Sequence, residues 1–124
     1  MELTFYYCED CGNIVLMLRN SGVPFVCCGQ KMIELVPGTV DASKEKHIPV
    51  YCVDGQKVFV TVGSVEHPMT EEHFIEWIAL QTRQGSQVVK LQPGGQPKAV
   101  FALLEGDEVE AVYAYCNLHG LWKA

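Results

Sequence analysis

The chain has 124 residues, a net charge of -6 at pH 7 and a sequence pI near 5.1. This acidic balance argues against nucleic acid or an anionic membrane as a partner, because both attract a basic surface. Hydrophobic residues make up 48% of the chain, and no stretch approaches the roughly 20 apolar residues of a membrane span. The composition therefore predicts a compact globular protein without either partner.

The residues at the start of the sequence lack the charged and apolar regions of a signal peptide, so we expect a cytoplasmic protein. In that reducing compartment, clustered cysteines are metal ligands more often than disulfides. We therefore interpret the cysteines of this chain first as ligands.

Residues 1–36 are predicted to form a small module with few strands. The apolar runs in this segment are Leu3 to Tyr7, Ile14 to Leu18 and Val23 to Val26. So few strands cannot hold a core unaided, and the module therefore needs its metal to fold. Pro37-Gly38 marks the boundary to the second domain, residues 37–124, which starts with a polar loop over residues 41–46.

From Ile48 onward, turn signals recur at the spacing of an antiparallel β-sandwich. The predicted strands are Ile48 to Val53, Lys57 to Val62, Phe74 to Gln81, Val88 to Leu91, Ala99 to Leu104 and Glu108 to Tyr115. Val58, Val60 and Val62 alternate with other residues and predict one buried face. Thr70 to His73 resembles a helix start, which predicts a single helical turn. The fold class is therefore all-β.

The first metal-ligand cluster is all sulfur. Its members are Cys8, Cys11, Cys27 and Cys28, a C-x2-C followed by an adjacent pair. Four thiolates can close a tetrahedral shell around zinc or iron and leave no position for a substrate. Adjacent cysteines point to opposite faces of an extended chain, so we expect a local kink and a distorted site. A pair of disulfides, or buried thiols, is the alternative.

The second cluster is mostly nitrogen. Its members are His47, His67, His73, Cys116 and His119, the last two in a C-x2-H. A lone histidine is more often an ordinary core or surface residue, but four of them with a cysteine favour a site. Five ligands are too many for the usual zinc tetrahedron and suit iron with a vacant sixth position. The sequence thus predicts one closed site and one reactive site, where a small molecule could accept an electron.

Three runs of sequence around these residues are similar to the desulfoferrodoxin family, the two-iron superoxide reductases. They are Glu45-Lys46-His47-Ile48-Pro49-Val50, Val62-Gly63-Ser64-Val65-Glu66-His67-Pro68-Met69 with His73 and Trp77, and Tyr115-Cys116-Asn117-Leu118-His119-Gly120-Leu121-Trp122-Lys123. The resemblance extends over the whole chain and includes the four cysteines of the first cluster.

The resemblance implies a desulforedoxin-like domain at residues 1–36 with a four-cysteine iron centre. It also implies an immunoglobulin-like, neelaredoxin-like β-sandwich at residues 37–124 with a catalytic iron. The four histidines would form the equatorial plane around this iron, and Cys116 would be the axial ligand. The implied reaction is the one-electron reduction of superoxide to hydrogen peroxide without oxygen production. Rubredoxin as electron donor and a homodimer are implied in the same way.

Two charged residues before the first histidine also match the family. There a glutamate can occupy the sixth position of the oxidised iron and a lysine lies by the open face; here these are Glu45 and Lys46. Lys46 would supply the local attraction that an anion needs on an acidic protein. Cys52 is no family ligand, and we interpret it as a buried thiol. The competing functions are a two-centre iron electron carrier and a non-enzymatic zinc-binding β-sandwich module.

Overall fold

The computed structural model describes residues 2–124. The chain gathers into two compact units, the first ending at Val36 and the second being Pro37–Ala124. The prediction of an all-β fold is confirmed, because the described residues form twelve strands and one helical turn. Every paired strand among them is antiparallel.

Five short strands form the first unit: β1 (Thr4–Tyr7), β2 (Ile14–Met17), β3 (Val26–Cys27), β4 (Gln30–Lys31) and β5 (Ile33–Leu35). β1 lies between β2 and β5, and β3 pairs with β4 in a hairpin. Leu18, Val23 and Val26 are more than half exposed, whereas Phe5 and Cys8 are the buried apolar side chains described in this unit. Such sparse burial agrees with the expectation that this unit needs a bound metal to fold.

The second unit contains α1 (Lys44–His47), β6 (Pro49–Asp54), β7 (Lys57–Val62), β8 (Ile75–Thr82), β9 (Ser86–Lys90), β10 (Lys98–Ala102), β11 (Val109–Cys116) and β12 (Gly120–Lys123). Its strands form a three-stranded sheet in the order β10-β7-β6 and a four-stranded sheet in the order β12-β11-β8-β9. Two antiparallel sheets with seven strands are the arrangement of the predicted sandwich.

The hydrophobic core of the second unit lies between these two sheets. Val58, Val60 and Val62 on β7 are at most 2% exposed, whereas Lys57 and Phe59, which alternate with them, are exposed. The predicted alternation of this strand is therefore confirmed. The other sheet contributes Ile75, Ile78, Leu80, Val112, Ala114 and Cys116 to the same core.

A bulge in β8, where it pairs with β11, determines which side chain packs next to Cys116. Tyr115 pairs with Trp77, but Cys116 pairs with Ile75, so Glu76 is an extra residue in β8. An inserted residue of this kind bends the strand and changes which face the following side chains take. As a result Ile75 turns into the core beside Cys116 at the end of β11.

The predicted helical turn at residues 70–73 is wrong. Thr70 and His73 exchange backbone hydrogen bonds, and the Thr70 hydroxyl oxygen also accepts the His73 amide at 3.1 Å. A distant side chain binds the neighbouring backbone groups instead: Asn117 Oδ1 accepts the Phe74 amide, and Asn117 Nδ2 donates to the Glu72 carbonyl. The Asn117 side chain thus takes the groups that would continue a helix, and the chain extends into β8.

Two further expectations are corrected in the second unit. The polar stretch predicted as a loop contains α1, a single turn that begins after Ser43. Cys52 is exposed rather than buried. It lies on the edge strand β6 opposite Phe59, on the outward face of the three-stranded sheet. The prediction that this strand buries its thiol fails because no further sheet covers that face among the described residues.

Candidate metal centres

The four cysteines of the first cluster converge in the first unit. The sulfur atoms of Cys8, Cys11, Cys27 and Cys28 all lie within 4.8 Å of one another. Cys11 Sγ is 3.6 Å from Cys27 Sγ, and Cys27 Sγ is 4.0 Å from Cys28 Sγ. Sulfurs at the corners of a tetrahedron with metal bonds of about 2.3 Å would be about 3.8 Å apart. These spacings therefore fit one tetrahedral ion.

Turns of the backbone bring these sulfurs together. The amide of Cys8 donates to the carbonyl of Asn13 at 2.9 Å, which closes the turn that holds the first C-x2-C. At the second pair, Cys28 adopts a left-handed backbone conformation with φ of 54°. That conformation is uncommon for a residue with a side chain. It is the kink that lets adjacent cysteines face the same point, as the sequence predicted.

The pKa values of the cysteines follow from the hydrogen bonds that their sulfurs make. The backbone amide of Cys11 donates to Cys8 and is the main cause that lowers the pKa of the Cys8 thiol to about 7. Hydrogen bonding to the sulfurs of Cys11 and Cys27 raises the pKa of Cys28 to about 12. Thiolates this close repel one another unless a cation lies between them. The cluster is thus built for a bound metal.

The four histidine rings of the second cluster form a square in the second unit. Neighbouring ring centroids are 4.7 Å apart for His47 and His67, 4.6 Å for His67 and His73, 5.1 Å for His73 and His119, and 4.9 Å for His47 and His119. Each neighbouring pair is close to perpendicular, at 75° to 87°. His47 and His73 are farther apart, at 6.3 Å, and therefore lie across the diagonal.

The ring nitrogens that face into this square are at the spacing of metal ligands. His47 Nε2 lies 3.2 Å from His67 Nε2 and 3.1 Å from His119 Nδ1. Two nitrogens bound at right angles with bonds of about 2.1 Å would be about 3.0 Å apart. His73 Nε2 is buried and has no hydrogen-bond partner among the described residues. A cation at the centre of the square satisfies all of these atoms.

Backbone carbonyls fix two of the rings in the orientation that a metal requires. Nδ1 of His47 lies 2.6 Å from the Ser43 carbonyl oxygen, and Nδ1 of His67 lies 2.7 Å from the Pro68 carbonyl oxygen. A carbonyl accepts only, so each Nδ1 carries the proton and each Nε2 presents a lone pair to the centre. Second partners of this kind hold metal-binding histidines in place.

Desolvation favours the neutral form of His47, His67 and His73, which is the form that binds metals. Desolvation is the main cause that lowers the pKa of His47 and His73, and it lowers the pKa of His67 to about 4. The charges of neighbouring histidines act in the same direction. At neutral pH these rings therefore offer lone pairs rather than protons.

Cys116 adds a sulfur to the histidine square. Its side chain is completely buried, and its Sγ lies 3.8 Å from His119 Nδ1. The ligand atoms of Cys116, His47, His67 and His73 lie within 4.8 Å of one another. Burial is the main cause that raises the pKa of this thiol, while the backbone amides of Leu118 and His119 donate to it and oppose the rise. A metal would hold it as a thiolate.

The five residues come from four places at one end of the sandwich. His47 ends α1, His67 and His73 lie in the connection from β7 to β8, Cys116 ends β11, and His119 lies in the turn before β12. Loop ends supported by a rigid sheet are a common location for binding residues. All the ligands predicted for the second cluster are thus brought together.

Two residues that support this site were missed as contributors by the sequence reasoning. The Trp122 ring packs against the His47 ring at 5.0 Å, and Trp122 Nε1 donates to the His119 carbonyl at 3.0 Å. Asn117 holds the backbone on either side of His73 through its hydrogen bonds with Phe74 and Glu72. Both residues lie in the C-terminal run of sequence that contains Cys116 and His119. Their position next to these ligands was the feature of the sequence that could have identified them.

Lys46 and Glu45 lie beside the square but differ in what they contact. Both side chains are exposed. Lys46 directly precedes His47 in α1, and after burial its charge is a further cause that lowers the pKa of His47 and of His73. Among residues 2–124, the Glu45 carboxylate makes no hydrogen bond or ion pair with the histidines. Its backbone carbonyl instead accepts hydrogen bonds from Ser64 and Val65.

None of the helices in residues 2–124 has the length and apolar character needed to cross a membrane. The only helical segment described is the single turn α1.

Comparison with known proteins identifies the family. The family model for desulfoferrodoxin matches residues 39–124, and that for the desulfoferrodoxin N-terminal domain matches residues 1–35. The desulfoferrodoxin of Nitratidesulfovibrio vulgaris is 49% identical over 123 residues, covering 99% of this chain and 96% of that protein.

Solved structures agree with this match. The crystal structure of the superoxide reductase from Treponema pallidum is 44% identical with a TM-score of 0.85, and the alignment covers 100% of this chain and 99% of that one. A superoxide reductase (1Fe-SOR) from Giardia intestinalis is 36% identical with a TM-score of 0.56, covering 65% of this chain and 96% of that one. The chain therefore belongs to the desulfoferrodoxin family.

Proposed function

We propose that this protein is a superoxide reductase, which converts superoxide to hydrogen peroxide without releasing oxygen. The observation that carries the proposal is the square of four histidine rings with the buried Cys116 sulfur beside it. Similarity over the full chain to a crystallised superoxide reductase supports it. Iron bound at this site would supply the electron for the reduction.

The donor set favours iron over zinc at the second site. Structural zinc is almost always bound by four ligands in a tetrahedron, and catalytic zinc by three protein ligands. Here four nitrogens arranged as a square and one sulfur make five donors, which leaves one position of an octahedron for a substrate. The first iron would be held by Cys8, Cys11, Cys27 and Cys28, which gives two iron ions per chain.

The residues around the square have separate tasks in this proposal. His47, His67, His73, His119 and Cys116 would hold the iron, and the Cys116 thiolate would donate electron density to it. Lys46 would attract the superoxide anion to a protein whose net charge is -6. Glu45 would supply a carboxylate ligand for the oxidised iron. One superoxide, one electron and two protons give one hydrogen peroxide. The two protons would come from solvent.

The remaining features of the proposal follow from membership in the family. Residues 1–36 would form a desulforedoxin-like domain, and residues 37–124 the neelaredoxin-like catalytic domain. Rubredoxin is the proposed electron donor, and the active form is a cytoplasmic homodimer that takes part in superoxide detoxification.

A stoichiometric assay tests the proposed reaction. The reduced protein is mixed with superoxide, and hydrogen peroxide and oxygen are measured together. A reductase yields one peroxide for each superoxide consumed and no oxygen, whereas a dismutase yields half as much peroxide together with oxygen. An electron carrier with two iron centres would take up and release electrons without consuming superoxide in a second-order reaction.

Metal analysis with visible spectra completes this test. Iron at both sites gives coloured oxidised protein, while a zinc-binding module would be colourless. The exposed Cys52 provides a matched control for the buried ligand Cys116, because each variant removes one thiol from the second unit. Cys52→Ser should retain stoichiometric peroxide production. If it instead abolished activity as Cys116→Ser does, the proposed site would be wrong.

A further inference from the structure

The helical turn that carries Lys46 and His47 is too short to keep its own orientation. α1 has four residues, and isolated helices much longer than this are still unstable in water. Its N-cap Ser43 makes no capping hydrogen bond through its side chain. Contacts from other parts of the chain must therefore hold α1 in place.

The connection directly after β7, residues 63–65, makes these contacts; we refer to it as the 63–65 turn. The Ser64 hydroxyl donates to the Glu45 carbonyl at 3.2 Å, and the Val65 amide donates to the same carbonyl at 3.1 Å. The Gly63 amide donates to the carbonyl of Ile48 at 3.2 Å. Hydrogen bonds from one short turn thus hold the backbone on both sides of Lys46 and His47.

The contact is so close that only glycine fits at its centre. A Cβ atom added at Gly63 would lie 2.7 Å from the Lys46 carbonyl oxygen and 2.8 Å from Lys46 Cα, and it would also collide with the Val65 carbonyl oxygen. Gly63 has φ of 89°, a conformation that residues with a side chain rarely adopt. The backbones of the 63–65 turn and of Lys46 are therefore in direct contact.

This contact joins the residue that attracts the anion to the histidine site. The 63–65 turn lies between β7 and His67, whose amide donates to the Val62 carbonyl at 3.1 Å. On its other side the turn holds α1, in which Lys46 directly precedes His47, a corner of the square. Displacement of this turn would change the position of Lys46 relative to the square.

We propose that Ser64 is a positioning residue that, together with the Gly63 and Val65 backbone, holds Lys46 in place next to His47 at the histidine square. Ser64 is exposed and is not a metal ligand, so it acts through α1 rather than on the substrate. The inference rests on the proposed superoxide reductase function, since it concerns the capture of that anion.

The test combines Ser64→Ala with Lys46→Ala in the iron-loaded protein. We expect Ser64→Ala to slow the second-order reaction with superoxide about three- to tenfold, because one hydrogen bond to the Glu45 carbonyl is lost. Ser64→Thr keeps the hydroxyl and should restore the rate. If Ser64 acts through Lys46, Ser64→Ala should cause no further loss in the Lys46→Ala background. Ser86→Ala removes an exposed serine from β9 and serves as the control.

Hydrogen exchange measured by mass spectrometry gives a readout independent of activity. Peptides that contain residues 44–48 and 63–66 should exchange faster in Ser64→Ala than in Ser64→Thr or Ser86→Ala. Unchanged exchange in Ser64→Ala, or an equal loss of rate with and without Lys46, would overturn the inference. Failure of the unaltered protein to consume superoxide would instead refute the proposed function, and exchange would still decide whether the turn holds α1.

Discussion

The Nε2 atoms of His47 and His67 lie 3.2 Å apart although the Nδ1 atom of each ring is already bound to a backbone carbonyl. Two neutral rings held in this way present lone pairs to each other, which is unfavourable unless a cation or a proton lies between them. The arrangement that binds a metal thus makes the metal-free folded state less stable. The dependence of the stability of that state on pH should show this.

Removal of the metal should make the second unit sensitive to mild acid. The folded pKa of His67 is lowered from 6.5 to about 4, chiefly by burial. Between pH 6.5 and pH 4 the unfolded chain therefore binds a proton at His67 that the folded chain does not bind. The free energy of unfolding is thus highest above pH 6.5 and falls as the pH drops towards 4. Urea unfolding of metal-free protein, followed by the fluorescence of Trp77 and Trp122, measures this. A midpoint independent of pH across that window would contradict the assignment of a buried neutral His67.

Replacement of Cys116 by serine should remove one optical signature and leave the other. The thiolate-to-iron absorption of the oxidised histidine site should disappear, while the spectrum of the four-cysteine site remains. We expect the free energy of unfolding to fall by about 1 to 3 kcal/mol, because a hydroxyl then occupies a fully buried core position. Visible spectra and urea unfolding check the two effects separately. Persistence of the band would show that another residue supplies the sulfur.

Replacement of Lys46 by alanine should slow superoxide capture by about tenfold at low ionic strength and flatten its dependence on salt. The reason is that the chain carries a net charge of -6 and this exposed ammonium group is a local positive charge at the site. Pulse radiolysis over a range of salt concentrations measures the rate. Lys46→Arg should keep most of the rate and its salt dependence. Lys90→Ala removes a lysine from β9 as a control, and a loss equal to that of Lys46→Ala would reject local attraction.

Replacement of Cys8 by serine should affect the first unit selectively. Cys8 is buried, and its sulfur is one corner of the four-cysteine cluster. Without a full set of ligands, the first unit should lose its iron and become sensitive to proteases, because few of its apolar side chains are buried. Limited proteolysis and iron content measure this. The absorption of the histidine site should persist, and its loss would mean that the second site needs the first centre to form.

The ligands and most strands were accessible from the sequence for one shared reason, whereas β4, β5 and β12 lie outside the predicted runs. Each depends on residues that are close along the chain or on a residue type with few alternative uses, such as the alternating valines of β7 and the Cys116-x2-His119 pair. The bounds of β7 agree with the prediction at both ends.

Features that depend on distant contacts were not accessible. The turn at Thr70 resembles a helix start, but the Asn117 side chain captures the groups that a helix would use. The burial of Cys52 depends on whether another layer covers β6, which alternation along one strand does not reveal. Likewise, the order of the rings around the square depends on which carbonyls receive Nδ1 of His47 and His67.

The positions of the five ligands along the chain make the second metal a cross-link between loops. It would join α1, the connection before β8, the end of β11 and the turn before β12, and Cys116 is the one ligand among the five that belongs to the core between the two sheets. Such a cross-link restricts the loops more than it holds the sheets. We therefore expect the second unit to retain its sheets when it loses this ion and to accept a replacement, whereas in the first unit we expect metal binding and folding to be one event.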